Sequence, residues 1–423
     1  MKHFILLSGF FILFCHGTAI AQQTIQLSAL YDALNVNHPL HKLNDAASSI
    51  ARQQKALNAS TRLPQANLSG QATWQSDVTS IPIKFPGVDI PNPSKDQYRA
   101  LMDVSQSIYD GGVHKTVEEQ INQTMSLDQA NTEVSLYNLR ESVCRSYFGA
   151  RIADLTIQQL NILISDLDQK SSKLASQIKE GIASGYQDAV LKVKIMEARQ
   201  SIREAVKQKE AALQSINLLT GLHLDTAARF DQVILSEVGE HFQRPELKLF
   251  DAQKKLQMAL FDNSSTKYNP RLSAFAQLGY GKPGLNVLSN SFKEYSILGL
   301  RANWNLSDFY LKQKNKEKNI LMANLDKIQI QEEAFNLQQK TKSDVQELEI
   351  KNYEESLQED NEVIALYEKI LISSAAQFEN GISTINDYSN DANNLAQAKI
   401  KRDVHRSLLN QAKELFHLIQ GKK

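Results

Sequence analysis

The sequence predicts a mainly α fold with a small β part: long coiled-coil helical hairpins joined to four strands of membrane-crossing length. Three observations carry that prediction. Proline and glycine are nearly absent from long stretches, several short runs switch to a two-residue period, and a set of landmarks recurs at a nearly constant offset.

The nine prolines all fall outside Val113–Glu180, Tyr186–Thr220, Phe309–Asn380 and Ile382–Gln420, and the one glycine within those stretches is Gly149. Proline removes a backbone donor and clashes with the preceding turn, and glycine costs backbone entropy, so their absence permits very long helices. About 70 uninterrupted residues reach roughly 100 Å at the α-helical rise. Leu160, Leu163, Leu167, Leu174 and Ile178 step by three, four and seven, as do Leu321, Leu325, Ile328 and Phe335, and then Ile364, Tyr367 and Leu371. That spacing makes an apolar seam against neighbouring helices. We place the long helices at about 112–180, 186–220, 309–379 and 384–420.

Four runs have the other period. Leu68, Ala72 and Trp74 alternate with polar residues, and so do Ala100, Met102 and Val104. In the second half the sets are Leu272, Ala274, Ala276 and Leu278, then Leu298, Leu300, Ala302 and Trp304; Leu101, Phe275 and Ile297 break the pattern. The strands are expected at about 65–75, 97–107, 271–280 and 295–304, each near the length of a tilted transmembrane strand. Trp74, Tyr98, Tyr280, Tyr295 and Trp304 sit near strand ends like an interfacial girdle. Arg99, Asp103, Gln277 and Arg301 are the candidates for a polar barrel lumen. The runs between strands, Gln75–Gln97 and Gly281–Glu294, are polar or Pro-rich, as extracellular loops are.

Four strands leave two open edges, which hydrocarbon does not tolerate. Other copies of the chain must close them. Two copies give about eight strands, a barrel filled by its own side chains; three give about twelve, with room for a lumen. The expected assembly is a homotrimer with a 12-stranded β-barrel continued by an α-barrel.

The chain begins with Met1-Lys2-His3, an apolar run from Phe4 to Cys15, and Ala19-Ile20-Ala21. These are the three parts of a secretory signal peptide, expected to span 1–21 with Gln22 as the mature start. Phe14 occupies the position where a lipidated cysteine needs a small neighbour, so Cys15 is not read as a lipid anchor. Cys144 then remains alone, and no intrachain disulfide is available to an exported chain.

The landmarks define two halves, 22–222 and 244–423, with a linker at 223–243. His38-Pro39 answers Arg244-Pro245, Arg62-Leu63-Pro64 answers Tyr268-Asn269-Pro270, and Tyr109-Asp110-Gly111-Gly112 answers Ser307-Asp308-Phe309-Tyr310. Gly181 and Gly381 each end one long helix shortly before a Ser or Thr that can cap the next. Four landmarks in one order indicate a duplication.

Together these features resemble the TolC family of outer membrane efflux proteins, over essentially the whole mature chain. The resemblance rests on the half-repeats, the Pro64 and Pro270 strand entries, Tyr109–Gly112, and the paired tips at Gly181 and Gly381. It implies an outer-membrane channel subunit of a tripartite efflux or type I secretion system, extending into the periplasm of a Gram-negative bacterium. It also implies a trimer in outer-membrane lipid, with tips docking a periplasmic adaptor that leads to an inner-membrane pump of the RND or ABC type. The corresponding docking residues are Gly181, Ile182, Ser184, Gly381, Ile382 and Ser383.

Family members narrow the tunnel near the second tip with inward aspartates. Asp387, six residues after Gly381, matches the first such position; the next is Asn390, with Asp391 beside it, and Asp188 in the first half is offset by one. A ring of carboxylates in a narrow wet passage attracts cations and raises its own pKa values. The other reading of Asp387 and Asp188 is an acidic residue favouring a helix N-terminus.

The 47 basic and 47 acidic residues give no surplus for a nucleic-acid partner. No metal cluster, phosphate loop or nucleophile elbow stands out, so neither a cofactor nor an enzymatic activity is expected. His38 and His41 lack a third ligand. A periplasmic adaptor is the competing reading, with one helical hairpin flanked by compact β domains; a trimeric fibre is another, without the glycine tips.

Overall fold

The computed structural model describes residues 24–79, 92–181, 184–231 and 244–421. The predicted signal peptide, most of the predicted linker, and the middle of the first inter-strand loop lie outside these residues. The elements run β1 (Thr24–Ile25), α1 (Leu27–Asn37), α2 (Lys42–Ser60), β2 (Gln65–Trp74), β3 (Asp96–Tyr109), α3 (Val113–Lys179) and α4 (Gly185–Thr220). The second series is β4 (Arg229–Phe230), α5 (Pro245–Ser265), β5 (Arg271–Lys282), β6 (Lys293–Asn303), α6 (Asp308–Leu311), α7 (Gln313–Glu379) and α8 (Ile385–Gln420).

In each series a pair of strands is followed by two long helices, and those helices match in length. Helices α3 and α7 both have 67 residues, and α4 and α8 both have 36. Two departures from the sequence reading have local causes. In the second half the short α6 precedes the long helix, because Lys312 takes a left-handed conformation (φ 50°) and breaks the run. In the region read as linker, β4 pairs in parallel with β1. Buried Lys209 anchors that segment, donating to Asp154 Oδ1 (2.8 Å) and to the carbonyls of Thr226 (2.7 Å) and Ala228 (2.9 Å).

The described residues form two compact units, and long helices contribute to both. One unit takes its residues from Met1–His38, Leu139–Gly239 and Val345–Phe416. Its apolar cluster contains Leu160, Leu163, Leu167 and Leu174 of α3, Leu191 and Ile195 of α4, and Ile385, Tyr388 and Ala392 of α8. The first predicted seam is therefore core. Cys144 is buried in the same unit.

The other unit draws on Pro39–Asn138, Glu240–Asp344 and His417–Lys423. It holds a four-stranded antiparallel sheet in the order β2-β3-β5-β6. The strand-to-helix turn after β3 is built by Asp110, whose carboxylate accepts the N–H groups of Gly112 (2.9 Å) and His114 (2.8 Å). Gly111 has a positive φ and faces Asn269 and Pro270 so closely that a Cβ would meet them at 3.0 and 3.2 Å. Asn269 Nδ2 donates to the Gly111 carbonyl (2.7 Å), tying the turn after β3 to the segment that enters β5. Near the far end of α8, buried Arg244 donates to Glu246 Oε2 (2.9 Å) and to the Leu418 carbonyl (2.8 Å).

Candidate functional site

Residues directly opposite one another in an antiparallel ladder point to the same face, so the register sorts the sheet into two surfaces. One face carries Leu68, Met102, Leu278 and Leu298, which are partners in successive or neighbouring rungs, together with Val104, Ala276 and Leu300. It is bare: Leu298 is 81% exposed, Leu68 79% and Trp74 69%. A continuous exposed apolar surface of this kind marks a face that lipid or another protein covers. At the loop end, the face carries Tyr98 and Tyr280, with Phe292 stacked on Tyr280 at 5.6 Å between ring centres. At the helix end, Trp304 donates its indole N–H to the Tyr268 carbonyl (3.1 Å) and meets the Phe309 ring edge-on.

The opposite face holds all four predicted lumen residues. Asp103 and Gln277 are cross-strand partners, with Gln277 Nε2 donating to Asp103 Oδ1 at 2.7 Å. Arg99 lies opposite Gly281, and Arg301 opposite Ser273 with its guanidinium 4.8 Å from the Phe275 ring centre. The three residues that broke the alternation, Leu101, Phe275 and Ile297, fall on this same face in neighbouring rungs. Tyr295 joins them, which corrects its placement in the aromatic girdle. It pairs with Gly279, and its ring covers that glycine so closely that an added Cβ would collide with Cζ. Phe275 covers Gly299 in the same way, at 2.7 Å. Glycine thus leaves room for each ring on this face.

The helix tips lie in the other unit. Gly181 and Gly381 end α3 and α7 with φ of 77° and 72°, the left-handed conformation that glycine adopts without a Cβ penalty. After Gly381, Thr384 and Asp387 form a reciprocal cap. The Thr384 backbone N–H (3.0 Å) and hydroxyl (2.6 Å) both donate to Asp387 Oδ2, while the Asp387 N–H donates to Thr384 Oγ1 (3.2 Å). The spacing of three is what such a cap requires. The first tip has four residues from Ser184 to Asp188, so the carboxylate misses the cap. Asp188 instead pairs with Lys192 (2.6 Å) and accepts from Ser171 (3.1 Å). Both carboxylates are held below the usual range, Asp387 by Thr384 and Asp188 by Lys192.

Asp387 and Asn390 are exposed one turn apart on α8, whereas Asp391 is half-buried. Ser184 and Gly381 are exposed, Ile382 is 76% exposed, and Ser383 is half-buried; Ile182 lies outside the described residues.

The sequence reading passed over the group beside this cap. Buried Tyr388 donates its hydroxyl to Asp166 Oδ2 (2.7 Å), and Lys170 sits 4.7 Å from its ring centre. Burial first, then the Asp166 carboxylate, pushes the phenol well above its ordinary pKa. The Asp166–Lys170 helical spacing was the available signal, without anything to indicate its partner 222 residues away. Among the described residues, no group of three or more His, Cys, Asp or Glu is arranged to hold a metal ion.

The fold defines a class: a mainly α chain of long helical hairpins with a small antiparallel sheet, as in TolC-like outer-membrane channels. No protein-family model matches the sequence, and no curated protein matches it. The chain is similar to the solved CmeC outer membrane channel of Campylobacter jejuni, at 15% identity over 93% of this chain and 85% of that one, with a TM-score of 0.64. It is similar to the outer-membrane channel OprN, at 15% identity over 94% and 90%, TM-score 0.65. The outer membrane protein VceC of Vibrio cholerae gives 12% identity over 94% and 96%, TM-score 0.63. At these identities the likeness establishes the fold, and the duplicated strand pairs exclude the single-hairpin layout expected of an adaptor.

Proposed function

We propose that the chain is one subunit of an outer-membrane channel, passing solutes from the periplasm and an attached pump to the cell exterior. The observation that carries this reading is the sheet: one face is apolar and bare, the other is polar, and both outer strands have a free edge. Hydrocarbon covers the first face, water fills the second, and further copies pair with the edges. Three copies give about twelve strands and a lumen, where two would give a filled barrel. The three solved channels of like fold support the same reading.

Within it, Asp387 and Asn390 line the constriction at the periplasmic end. Asp188 is tied to Lys192 and contributes less; half-buried Asp391 lies beside the lining. The Gly181 and Gly381 tips, with Ser184, Ile182, Ile382 and Ser383, form the docking surface for a periplasmic adaptor.

Cys144 is buried, so a cysteine introduced at exposed Val287 gives a clean label site between β5 and β6. The Val287→Cys protein should sediment with outer membranes and react with an impermeant maleimide added to intact cells. Recovery in the soluble or inner-membrane fraction, or labelling only after lysis, would contradict the proposal.

A further inference from the structure

The polar face of the sheet carries a charge imbalance that a generic water-filled pore does not need. Arg99 and Lys293 both lie opposite Gly281, one on each side, at the loop end of the sheet. Arg271, opposite Asn303, and Arg301, opposite Ser273, occupy the helix end of the same face. All four are exposed, and none has an ion-pair partner among the described residues. Across the four strands this face has a single carboxylate, Asp103, already engaged by Gln277. Four cations against one anion leave three unbalanced positive charges per chain. The apolar face has the reverse bias, with Lys282 against Asp96 and Glu294.

We infer that this face is a passage for solutes bearing oxyanion groups, such as carboxylates, phosphates and sulfates. Arg99 and Lys293 form an outer cationic belt, and Arg271 and Arg301 an inner one. The inference rests on the channel reading, because only a closed barrel turns this face into an interior. Closure repeats each belt around the lumen, and low-dielectric walls focus the field of like charges along the axis. The spacing suits transit rather than tight capture. Arg99 and Lys293 stand two strand spacings apart, about 10 Å at the backbone, across a residue without a side chain. An anion there keeps part of its hydration shell while meeting the forked donors of arginine. The Asp103–Gln277 rung between the belts carries the one carboxylate of this face, which separates the belts, so an anion leaves one before engaging the next.

Reversal potentials of the purified oligomer in planar bilayers, under gradients of potassium chloride and then potassium phosphate, test this directly. Replacing all four by glutamine (Arg99→Gln, Lys293→Gln, Arg271→Gln, Arg301→Gln) should lower the anion-to-cation permeability ratio several-fold. If that variant fails to insert, the two belt-specific double variants provide the reading, and each should lose part of the preference. Asp103→Asn should shift the ratio the other way. A ratio that is unmoved or raised by neutralising the belts would overturn the inference. Absence of any conductance from the wild-type oligomer would instead contradict the channel reading on which it rests.

Discussion

At the scale of single residues, one spacing decides what an aspartate does. Three residues from Thr384 to Asp387 close a reciprocal cap, and four from Ser184 to Asp188 send the second carboxylate to Lys192 instead. The acidic residue at each tip was legible in the sequence, as was the choice between a helix-terminal role and a carboxylate ring. Asp387 fills the first role while its carboxylate stays exposed, so the two roles are compatible. A carboxylate with a depressed folded pKa contributes stability above its unfolded pKa and loses it only as pH falls through the lower folded value. The Thr384 cap therefore keeps Asp387 charged, and block of the channel by multivalent cations should stay constant between pH 7 and about 5. Asp387→Asn should relieve that block. A block that fades within this range, or survives in Asp387→Asn, would show that the cap does not govern the charge or that Asp387 does not line the constriction.

At the scale of elements, the long helices were the most legible part, because a helix of 67 residues leaves a negative signature in proline and glycine that no local packing can imitate. The strands were legible through their period. Their exceptions were not, because the period gives a face without saying which strand lies alongside. Tyr295 reads as a strand-end aromatic until the register places it over Gly279. Lys293 was missed as a face residue because β6 begins at Lys293, two residues ahead of the expected strand start. The face assignment makes a sharp prediction. Leu298→Arg puts a charge on the lipid side and should cost about 2–4 kcal/mol of barrel stability near the bilayer midplane, whereas Ser69→Arg, on the polar face opposite Leu101, should be nearly neutral. Denaturant titration of the protein folded into liposomes measures both. The reverse order would mean the faces are exchanged.

At the scale of the whole molecule, α3 matches α7 in length and α4 matches α8, and the strand pairs that precede them meet at the β3–β5 pair. That join makes a continuous four-stranded sheet and leaves β2 and β6 as its edges. An edge in hydrocarbon strands a row of unpaired N–H and C=O groups, each costing several kcal/mol, so the isolated chain is an incomplete object in a membrane. The need for partners was readable from the strand count alone; which residues meet the lipid required the register. Native mass measurement of the detergent-purified mature protein tests this central claim most directly. It should give a single species of three chains that persists on dilution, and a monodisperse monomer would contradict it.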